Sequence, residues 1–576
     1  MPLLMQNKKI QKIFIPPTAT IRYAMEVMTR SPRLDAAVPA GIVLITDSAR
    51  HLLGVATDGD FRRAIEHGAT LEHPVTVAMN AAPFLIVGRR PTAEILELTI
   101  AKIRREKWRR DKIRHIIMVD AEHRVLDVIH FFDIWRNSEI RFRQIGVIGL
   151  GYVGLTLAAT LADRGFHVRG FDMDAKVRAT LRRGVPHFYE LGLPELLRDH
   201  VGRRLEVISG FDVENRCDMY IIAVGTPVDA KNKPVFRPIE AAARTVGRVL
   251  KQGDMVMLRS TVPVGTTRRV VIPILERISG LHAGRDFFVA FAPERTAEGK
   301  ALEELKRLPQ VIGGIDRASA EIAANIFNAI TSYSIILDTL EEAELVKLIN
   351  NTYRDVMFAY ANELSFISAR WGIDTQKVIA AANRDYGRSL VPMPSPGVGG
   401  YCLKKDPFIF IASAREKGYT PILASGARRI SEAMVDALAK RIFQFLRTSK
   451  RQIKGAKVCL IGLAFKGEPV TSDLRGSTAI DLARLFMKRG VSVVGYDPVV
   501  SSRAVRRLQI RYVKSAHAAV KGADAVVVMN NNPAWKNLPI RRLIANTKRP
   551  SLFIDGWGIY APEEIAKVKH VSYQRL

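Results

Sequence analysis

Cysteine is scarce in this chain, with three residues in 576, at positions 217, 402 and 459. So few and so scattered, they cannot form a disulfide framework, and a reducing, cytoplasmic setting is expected. No apolar run approaches the ~18–20 residues that a membrane helix needs, and the amino terminus lacks the apolar core of a secretory signal. No membrane partner is expected. No low-complexity tract is long enough to make a disordered tail. Acidic residues are also short: 57 Asp and Glu stand against 87 Lys and Arg, a net charge of +30. The densest basic run, Lys102 to Arg114, has eight basic and two acidic residues and reads as one exposed helix face. Because the basic residues are dispersed, the excess reads as solvated surface or as a field that attracts anionic small molecules. No motif accompanies it that would point to nucleic acid.

What is present begins with length. A chain of 576 residues is too long for one core, and three or four domains are expected. The first part repeats itself at a constant offset of 73 residues, Asp47 falling on Asp120 and Asp60 on Asp133. Each copy reads as a short apolar strand, a turn, a second strand and a helix start, so the halves should pack about a pseudo-twofold. Gly54-Val55-Ala56-Thr57-Asp58-Gly59-Asp60 resembles the ligand signature of the cystathionine-β-synthase-type (CBS) domain pair. The resemblance implies that Thr57 meets a ribose-phosphate, that Asp60 takes ribose hydroxyls, and that an adenine nucleotide is bound. In the second copy Asp127 and His130 replace Gly54 and Thr57, and only Asp133 matches. The plain alternative is that the pair is only a dimerisation prop.

A different pattern follows a linker near residues 137–143. Gln144–Gly149 is a short apolar strand, Gly149-Leu150-Gly151-Tyr152-Val153-Gly154 follows at once, and Leu155–Arg164 is an amphipathic helix. The next strand, His167–Phe171, ends in Asp172, 23 residues after Gly149. This is the context that a dinucleotide fingerprint requires. Gly149, Gly151 and Gly154 let backbone N–H groups approach a pyrophosphate at a helix N-terminus. Asp172 can accept from a ribose 2′-hydroxyl, which favours NAD, although Lys176 lies close by. Strands at Met219–Val224 and Met255–Leu258 end in the polar turns Gly225-Thr226-Pro227 and Ser260-Thr261-Val262-Pro263, at the sheet end where such folds bind ligands.

Glu341 to Trp371 reads as one helix, free of proline, with apolar positions at Leu345, Leu348, Ile349, Thr352 and Val356. Lys347, Asn351 and Arg354 share another face, either a functional row or a solvated stripe. A second βαβ pattern opens at Lys457–Gly462 without a full glycine fingerprint, and strands Val491–Tyr496 and Ala525–Met529 continue it. Between helix and second sheet lies Pro396-Gly397-Val398-Gly399-Gly400-Tyr401-Cys402-Leu403-Lys404-Lys405-Asp406-Pro407, where a glycine turn presents one thiol beside two lysines. Lys404 or Lys405 should favour the thiolate, and Asp406-Pro407 reads as an N-cap with proline at the first helical position. A thiol together with a nicotinamide site points to a dehydrogenase that holds an aldehyde covalently and oxidises it twice.

Seven ordered stretches make residues ~144–560 resemble the UDP-glucose/GDP-mannose dehydrogenase family: Gly149–Gly154, Gly225–Pro227, Ser260–Thr267, Ala292–Arg295, Glu344–Asn351, Gly397–Pro407, and Phe465–Gly467 with Asp473–Ser477. The fold implied is α/β, with two Rossmann-like doubly wound domains joined by a long central helix and a helical dimerisation domain, preceded by the α+β CBS pair. The corresponding divisions are 1–140 (CBS pair), 144–338 (NAD domain), 339–448 (central helix and thiol) and 453–576 (UDP-sugar domain). The activity implied is NAD-dependent four-electron oxidation of a nucleotide-sugar C6 hydroxyl to a uronate, for surface polysaccharide precursors. The resemblance gives Cys402, Lys347, Asn351, Asp406, Glu294 and Thr261 catalytic places. It assigns the cofactor to Gly149, Gly151, Tyr152, Val153, Gly154, Asp172, Lys176, Thr226, Glu298 and Arg475, with Thr261 nearby. It assigns the substrate to Arg354, Gly397, Gly399, Gly400, Phe465 and Lys466, with Glu294 shared. No metal is implied, and a homodimer or higher homo-oligomer is. Asn351–Val356 looks closest to enzymes of UDP-N-acetylhexosamines, with UDP-glucose and GDP-mannose as alternatives. Tyr401 departs from the His or Ser that family members often carry before the cysteine. A reading of another class is a non-catalytic adenine-nucleotide sensor on a degenerate dehydrogenase body.

Overall fold

The computed structural model describes residues 10–34, 41–88, 115–130, 144–388 and 390–576. The basic run 102–114, the linker 137–143 and Asp133 lie outside the described residues.

The repeat is visible in the backbone. Strands β1 (Phe14–Ile15), β2 (Ile42–Thr46) and β3 (Leu52–Thr57) form one three-stranded sheet, and β4 (Leu85–Val87), β5 (His115–Val119) and β6 (Val125–His130) form another. In each, the first pair is parallel and the second antiparallel. The register shifts at matching places, Ile45/Thr46 and Met118/Val119. Arg50 and His123 take the matching left-handed turn positions, at φ 69° and 63°. The copies meet where His51 bridges Arg124, its own counterpart, and where Leu52 N–H donates to the His123 carbonyl at 2.9 Å. Ile42, Leu44 and Val55 of one half share a core with Ile117, Val119 and Val128 of the other.

The third sheet has eight strands: β7 (Gln144–Ile148), β8 (His167–Phe171), β9 (Leu205–Val207), β10 (Met219–Ile222), β11 (Met255–Leu258), β12 (Phe288–Phe291), β13 (Gln310–Gly314) and β14 (Ser334–Leu337). Its spatial order is β14-β13-β12-β11-β10-β7-β8-β9. Every pairing is parallel except β12 with β13. Helices cover both faces of β10, β11 and β12, so these strands are apolar and buried throughout rather than alternating. The order reverses between β7 and β10, which opens a crevice beyond their carboxyl ends.

The fourth sheet, of six strands, has order β17-β16-β15-β18-β19-β20, with β15 Lys457–Ile461, β16 Ser492–Tyr496, β17 Arg511–Tyr512, β18 Ala525–Val528, β19 Ser551–Asp555 and β20 Val571–Arg575. All its pairings are parallel, and its order reverses between β15 and β18.

The central helix, Leu340–Arg370, joins the two large sheets over 31 residues. Thr339 and Glu342 form a capping box at its start, and Gly372, at φ 66°, lies beyond its end. The face carrying Lys347 and Asn351 is not a solvated stripe: both are buried, at 7% and 5% exposure, while Arg354 is exposed. The cysteine helix, Tyr401–Glu416, packs against the central helix together with the helix Ile422–Thr448. It begins at Tyr401 after Gly400 and carries Pro407 inside it, so the expected start at Asp406-Pro407 is incorrect. Gly400 takes φ 96°, which sets the break earlier than proline would. Among the described residues no helix is long and apolar enough to cross a membrane.

Candidate active site

The first half of the site is a phosphate cradle at the β7/β10 crevice. A side chain on Gly149, which has φ 92°, would meet the Ala223 carbonyl oxygen at 2.8 Å, and one on Gly154 would strike the Gly149 carbonyl oxygen at 1.8 Å. The helix Tyr152–Asp163 therefore starts as close to the strand as backbone allows. Its N-cap, Gly151, offers no side chain to the first N–H groups, which stay available to an anion. Asp172 braces the turn, its carboxylate accepting from Leu150 N–H and Asp174 N–H, both at 2.9 Å. Lys176 is exposed, and Val153 is half-buried behind the turn. Thr226 is 1% exposed, and its Oγ1 has no protein partner. A nicotinamide dinucleotide fits this set: a bare helix start, glycines that admit its backbone, an acid at the second strand end and one unpartnered buried hydroxyl.

The second half surrounds the thiol. Lys347, Asn351 and Asp406 converge on it from two helices. Asp406 is fully buried, with one oxygen bonded by Asn351 Nδ2 and the other by Lys405 Nζ at 2.6 Å. Burial pushes the Cys402 thiol above its ordinary pKa, Asp406 and Glu298 push the same way, and Lys347 and Lys405 oppose them. The thiolate expected from the neighbouring lysines is therefore not favoured here, because desolvation in the closed site outweighs them. Lys404 is spent elsewhere, on an ion pair with Asp481. Burial pulls the Lys405 ammonium down, but Asp406, Cys402 and Tyr401 together hold it above its ordinary value.

Glu294 lies beyond β12, 6% exposed. Its carboxylate takes Arg259 Nη2 at 2.5 Å and the N–H groups of Arg295 and Thr296 at 2.8 Å. Burial raises its pKa, but Arg259, those N–H bonds and Lys347 prevail and hold it below the usual carboxylate range. Thr261 is half-buried on the same loop as Gly265 and Thr267. Glu344 of the central helix fixes that loop, accepting from Gly265 N–H, from Thr267 N–H at 2.8 Å and from Thr267 Oγ1 at 2.6 Å.

The glycine turn and the six-stranded sheet close the site. A side chain on Gly400 would sit 2.6 Å from the Phe465 ring, and one on Gly399 would sit 3.3 Å from the Phe465 carbonyl. Gly397 takes φ 88° and is packed against Ser431 and Thr478. Gly400 N–H donates to Gly476 O at 3.1 Å. Phe465 and Lys466 leave β15 at the β15/β18 reversal. Lys466 Nζ donates to the Glu298 carbonyl at 2.7 Å, and Arg475 Nη2 lies 3.6 Å from Glu298 Oε1. Arg475 is held by Asp473 at 2.7 Å and lies over two rings, 4.6 Å from the centroid of Tyr401 and 5.2 Å from that of Tyr152. Glu298 is pushed up to about 7 by burial and by Asp473.

In the amino-terminal module, Thr57 and Asp60 are bonded to each other: the Asp60 carboxylate accepts from Thr57 N–H at 2.8 Å and Thr57 Oγ1 at 2.6 Å, capping the helix Asp58–Glu66. Beside Asp60 lies a cavity of about 440 Å³ that Arg63, His67 and His73 also line.

Arg259, Glu344 and Asp473 are given no role by the sequence reading, and Lys405 enters it only as a neighbour of the thiol, not as the partner of Asp406. Arg259 and Glu344 carried a usable signal, a charge directly after the buried strand β11 and a carboxylate one turn before Lys347. Asp473 carried one too, since it opens the matching stretch Asp473–Ser477.

A dinucleotide cradle and a second nucleotide-type sheet, facing one another across a half-buried thiol, define a two-nucleotide dehydrogenase. The family models of the UDP-glucose/GDP-mannose dehydrogenase family match in chain order: the NAD binding domain at residues 143–331, the central domain at 341–433 and the UDP binding domain at 459–562. The UDP-N-acetyl-D-mannosamine dehydrogenase of Pyrococcus horikoshii is 33% identical over 422 residues, 72% of this chain and 96% of the relative. The UDP-N-acetyl-D-glucosamine 6-dehydrogenase of Pseudomonas aeruginosa is 32% identical over 400 residues, 69% of this chain and 92% of the relative. A solved structure of the UDP-D-ManNAc dehydrogenase from Pyrococcus horikoshii superposes with a TM-score of 0.67 at 31% identity, over 75% of this chain and 98% of that one. The chain belongs to the UDP-glucose/GDP-mannose dehydrogenase family and is an NAD-dependent oxidoreductase.

Proposed function

We propose that this enzyme oxidises the C6 hydroxyl of a UDP-N-acetylhexosamine to the carboxylate, with Cys402 holding the carbon between two oxidations. The observation that carries the reading is the convergence of Cys402, Lys347, Lys405 and the Asn351–Asp406 pair at one buried point. The sugar is supported by the Asn351–Val356 stretch and by the relatives named above; UDP-glucose and GDP-mannose are the alternatives.

When bound, NAD supplies the hydride acceptor, twice per substrate. Lys347 and Asn351 donate hydrogen bonds to O6 and stabilise the charge that grows there, a contribution worth about 10²–10³ in rate per donor. Asp406 takes the hydroxyl proton through an intervening water, while Asn351 and Lys405 hold its carboxylate in place. Cys402 sulfur then bonds to C6 of the aldehyde while its proton passes to O6, giving a thiohemiacetal. Loss of the second hydride and of the O6 proton leaves a thioester. Glu294, held as a carboxylate by Arg259, takes a proton from the attacking water; the C–S bond breaks and sulfur recovers its proton. Thr261 stays beside the reacting carbon, Arg354, Lys466 and Phe465 bind the UDP-sugar, and Glu298 and Arg475 complete the cofactor side. We assign the product to surface polysaccharide precursors and the enzyme to the cytoplasm. Ile349, Tyr353 and Tyr360 stand exposed along the central helix at 49%, 63% and 51%, which supports a homodimer.

The test is product stoichiometry. Wild-type enzyme should yield two NADH per sugar, and Cys402→Ser should stop short of the uronate. Full turnover in that variant would end the covalent reading. Absence of NADH with every sugar nucleotide tried, together with tight adenine-nucleotide binding, would favour the sensor instead.

The amino-terminal repeat supports a second, regulatory reading as a CBS pair that takes an adenine nucleotide. Its cavity beside Asp60 has the size of a small-molecule site and is lined by Arg63, His67 and His73. Titrating AMP and ATP into Asp60→Ala by calorimetry should show lost binding; unchanged binding removes the site.

A further inference from the structure

The residue after the thiol, Leu403, has a carbonyl without its ordinary partner. In an α-helix the carbonyl of residue i accepts from the N–H of residue i+4. Four residues beyond Leu403 stands Pro407, inside the cysteine helix. Proline has no N–H, and its ring crowds the carbonyl one turn back. Leu403 is 8% exposed, so water does not readily replace the missing donor.

Arg428 replaces it. Its Nη1 donates to Leu403 O at 2.6 Å and to Asp355 Oδ1 at 3.1 Å. Arg428 is 3% exposed and Asp355 fully buried. The guanidinium also lies 5.7 Å from the centroid of the Phe408 ring. One group thus ties three helices together: its own, Ile422–Thr448; the cysteine helix, at the turn that carries Cys402; and the central helix, which carries Lys347 and Asn351. We propose that Arg428, anchored by Asp355, is a positioning residue for the reaction: it supplies the hydrogen bond that Pro407 withholds and so sets the Cys402 turn against Lys347 and Asn351. The proposal rests on Cys402 being the nucleophile.

An ion pair that only glued helices together would not care about residue 407, which makes the test specific. It is a double-mutant cycle of Arg428→Met, Pro407→Ala and both together in the full chain, assayed with NAD and whichever sugar nucleotide the wild type turns over. Arg428→Met should lower kcat about tenfold while both KM values stay within about twofold. Pro407→Ala alone should stay near wild type. The double variant regains an N–H for Leu403 O and should return to within about threefold of wild-type kcat. A second readout needs no turnover: the pH midpoint of Cys402 alkylation by iodoacetamide, followed by mass spectrometry, should move in Arg428→Met and return in the double variant. Wild-type kcat in Arg428→Met, or a double variant no better than Arg428→Met, overturns the proposal. Should Arg428→Met not fold, the same cycle with Arg428→Lys decides, because the shorter lysine can pair with Asp355 but its ammonium ends one bond short of the Nη1 position that serves both Asp355 and Leu403 O. If Cys402→Ser kept full turnover, the nucleophile reading would fail, and the alkylation cycle would still judge Arg428 on its own.

Discussion

Replacing Arg259 by methionine removes a guanidinium that is 1% exposed and bonded to Glu294, to Ala292 O at 2.9 Å and to Gln310 Oε1 at 3.0 Å. Methionine keeps the length and the contact with Phe327 but none of the donors. At pH 8 it leaves Glu294 as a buried carboxylate without its cation, a loss of about 3–5 kcal/mol. At pH 5 Glu294 escapes by taking a proton, and the remaining cost is that of unpaired acceptors, about 1–3 kcal/mol. The sign follows from linkage. Glu294 lies below its ordinary value in the wild type, so its stabilisation is present above the unfolded carboxylate value and fades as pH falls through the folded one. In the variant its pKa rises, so the gap between the proteins narrows as pH falls. For a domain of this size about 1 kcal/mol moves Tm by about 2–4 °C, giving a drop of about 6–20 °C at pH 8 and clearly less at pH 5. Melting followed by circular dichroism checks this, and the acid limb of kcat should move to higher pH. An equal drop at both pH values, with the acid limb unmoved, would refute the reasoning.

Gly400→Ala must hold φ near 96° and push its methyl against the Phe465 ring at 2.6 Å. The strain is about 1–3 kcal/mol, and steady-state kinetics should show kcat/KM for the sugar nucleotide down about tenfold or more. Glu344 is pushed up to about 7 by burial, above its ordinary 4.5. The native chain therefore holds that proton more tightly than the unfolded one, and stability falls as pH climbs from about 4.5 through 7. Glu344→Gln should flatten the pH dependence of Tm between about pH 5 and 8, and an unaltered slope would argue against a titrating Glu344.

Much of this architecture was legible because local signals and global fold agree. The fingerprint glycines, the acid after β8 and the proline-free run of the central helix each state their own geometry. The 73-residue offset went further, since the matched turns at Arg50 and His123 and the bridge between His51 and Arg124 follow it residue by residue. Three things were not legible. Helical spacing puts Lys347, Asn351 and Arg354 on one face but does not say how much of that face is covered, and tertiary packing, which brings Asp406 of the cysteine helix onto Asn351, buries the first two. Asp406-Pro407 has the local form of a helix start, yet Gly400 breaks the chain earlier and a distant arginine supplies the donor that proline lacks. The thiol of Cys402 was judged by the lysines next to it in sequence, whereas its environment depends on desolvation and on which carboxylates those lysines have already met.

Glu298 sits between the two nucleotide-binding halves: its backbone carbonyl holds Lys466, and its carboxylate faces Arg475. One loop of the dinucleotide half is thereby wired to both basic groups of the other half. If a nucleotide on one side draws Lys466 or Arg475 away from Glu298, the Michaelis constant of each reactant will shift with the concentration of the other. Initial rates measured over a grid of both concentrations would show that dependence as lines of changing KM, and a KM constant across the grid would show none.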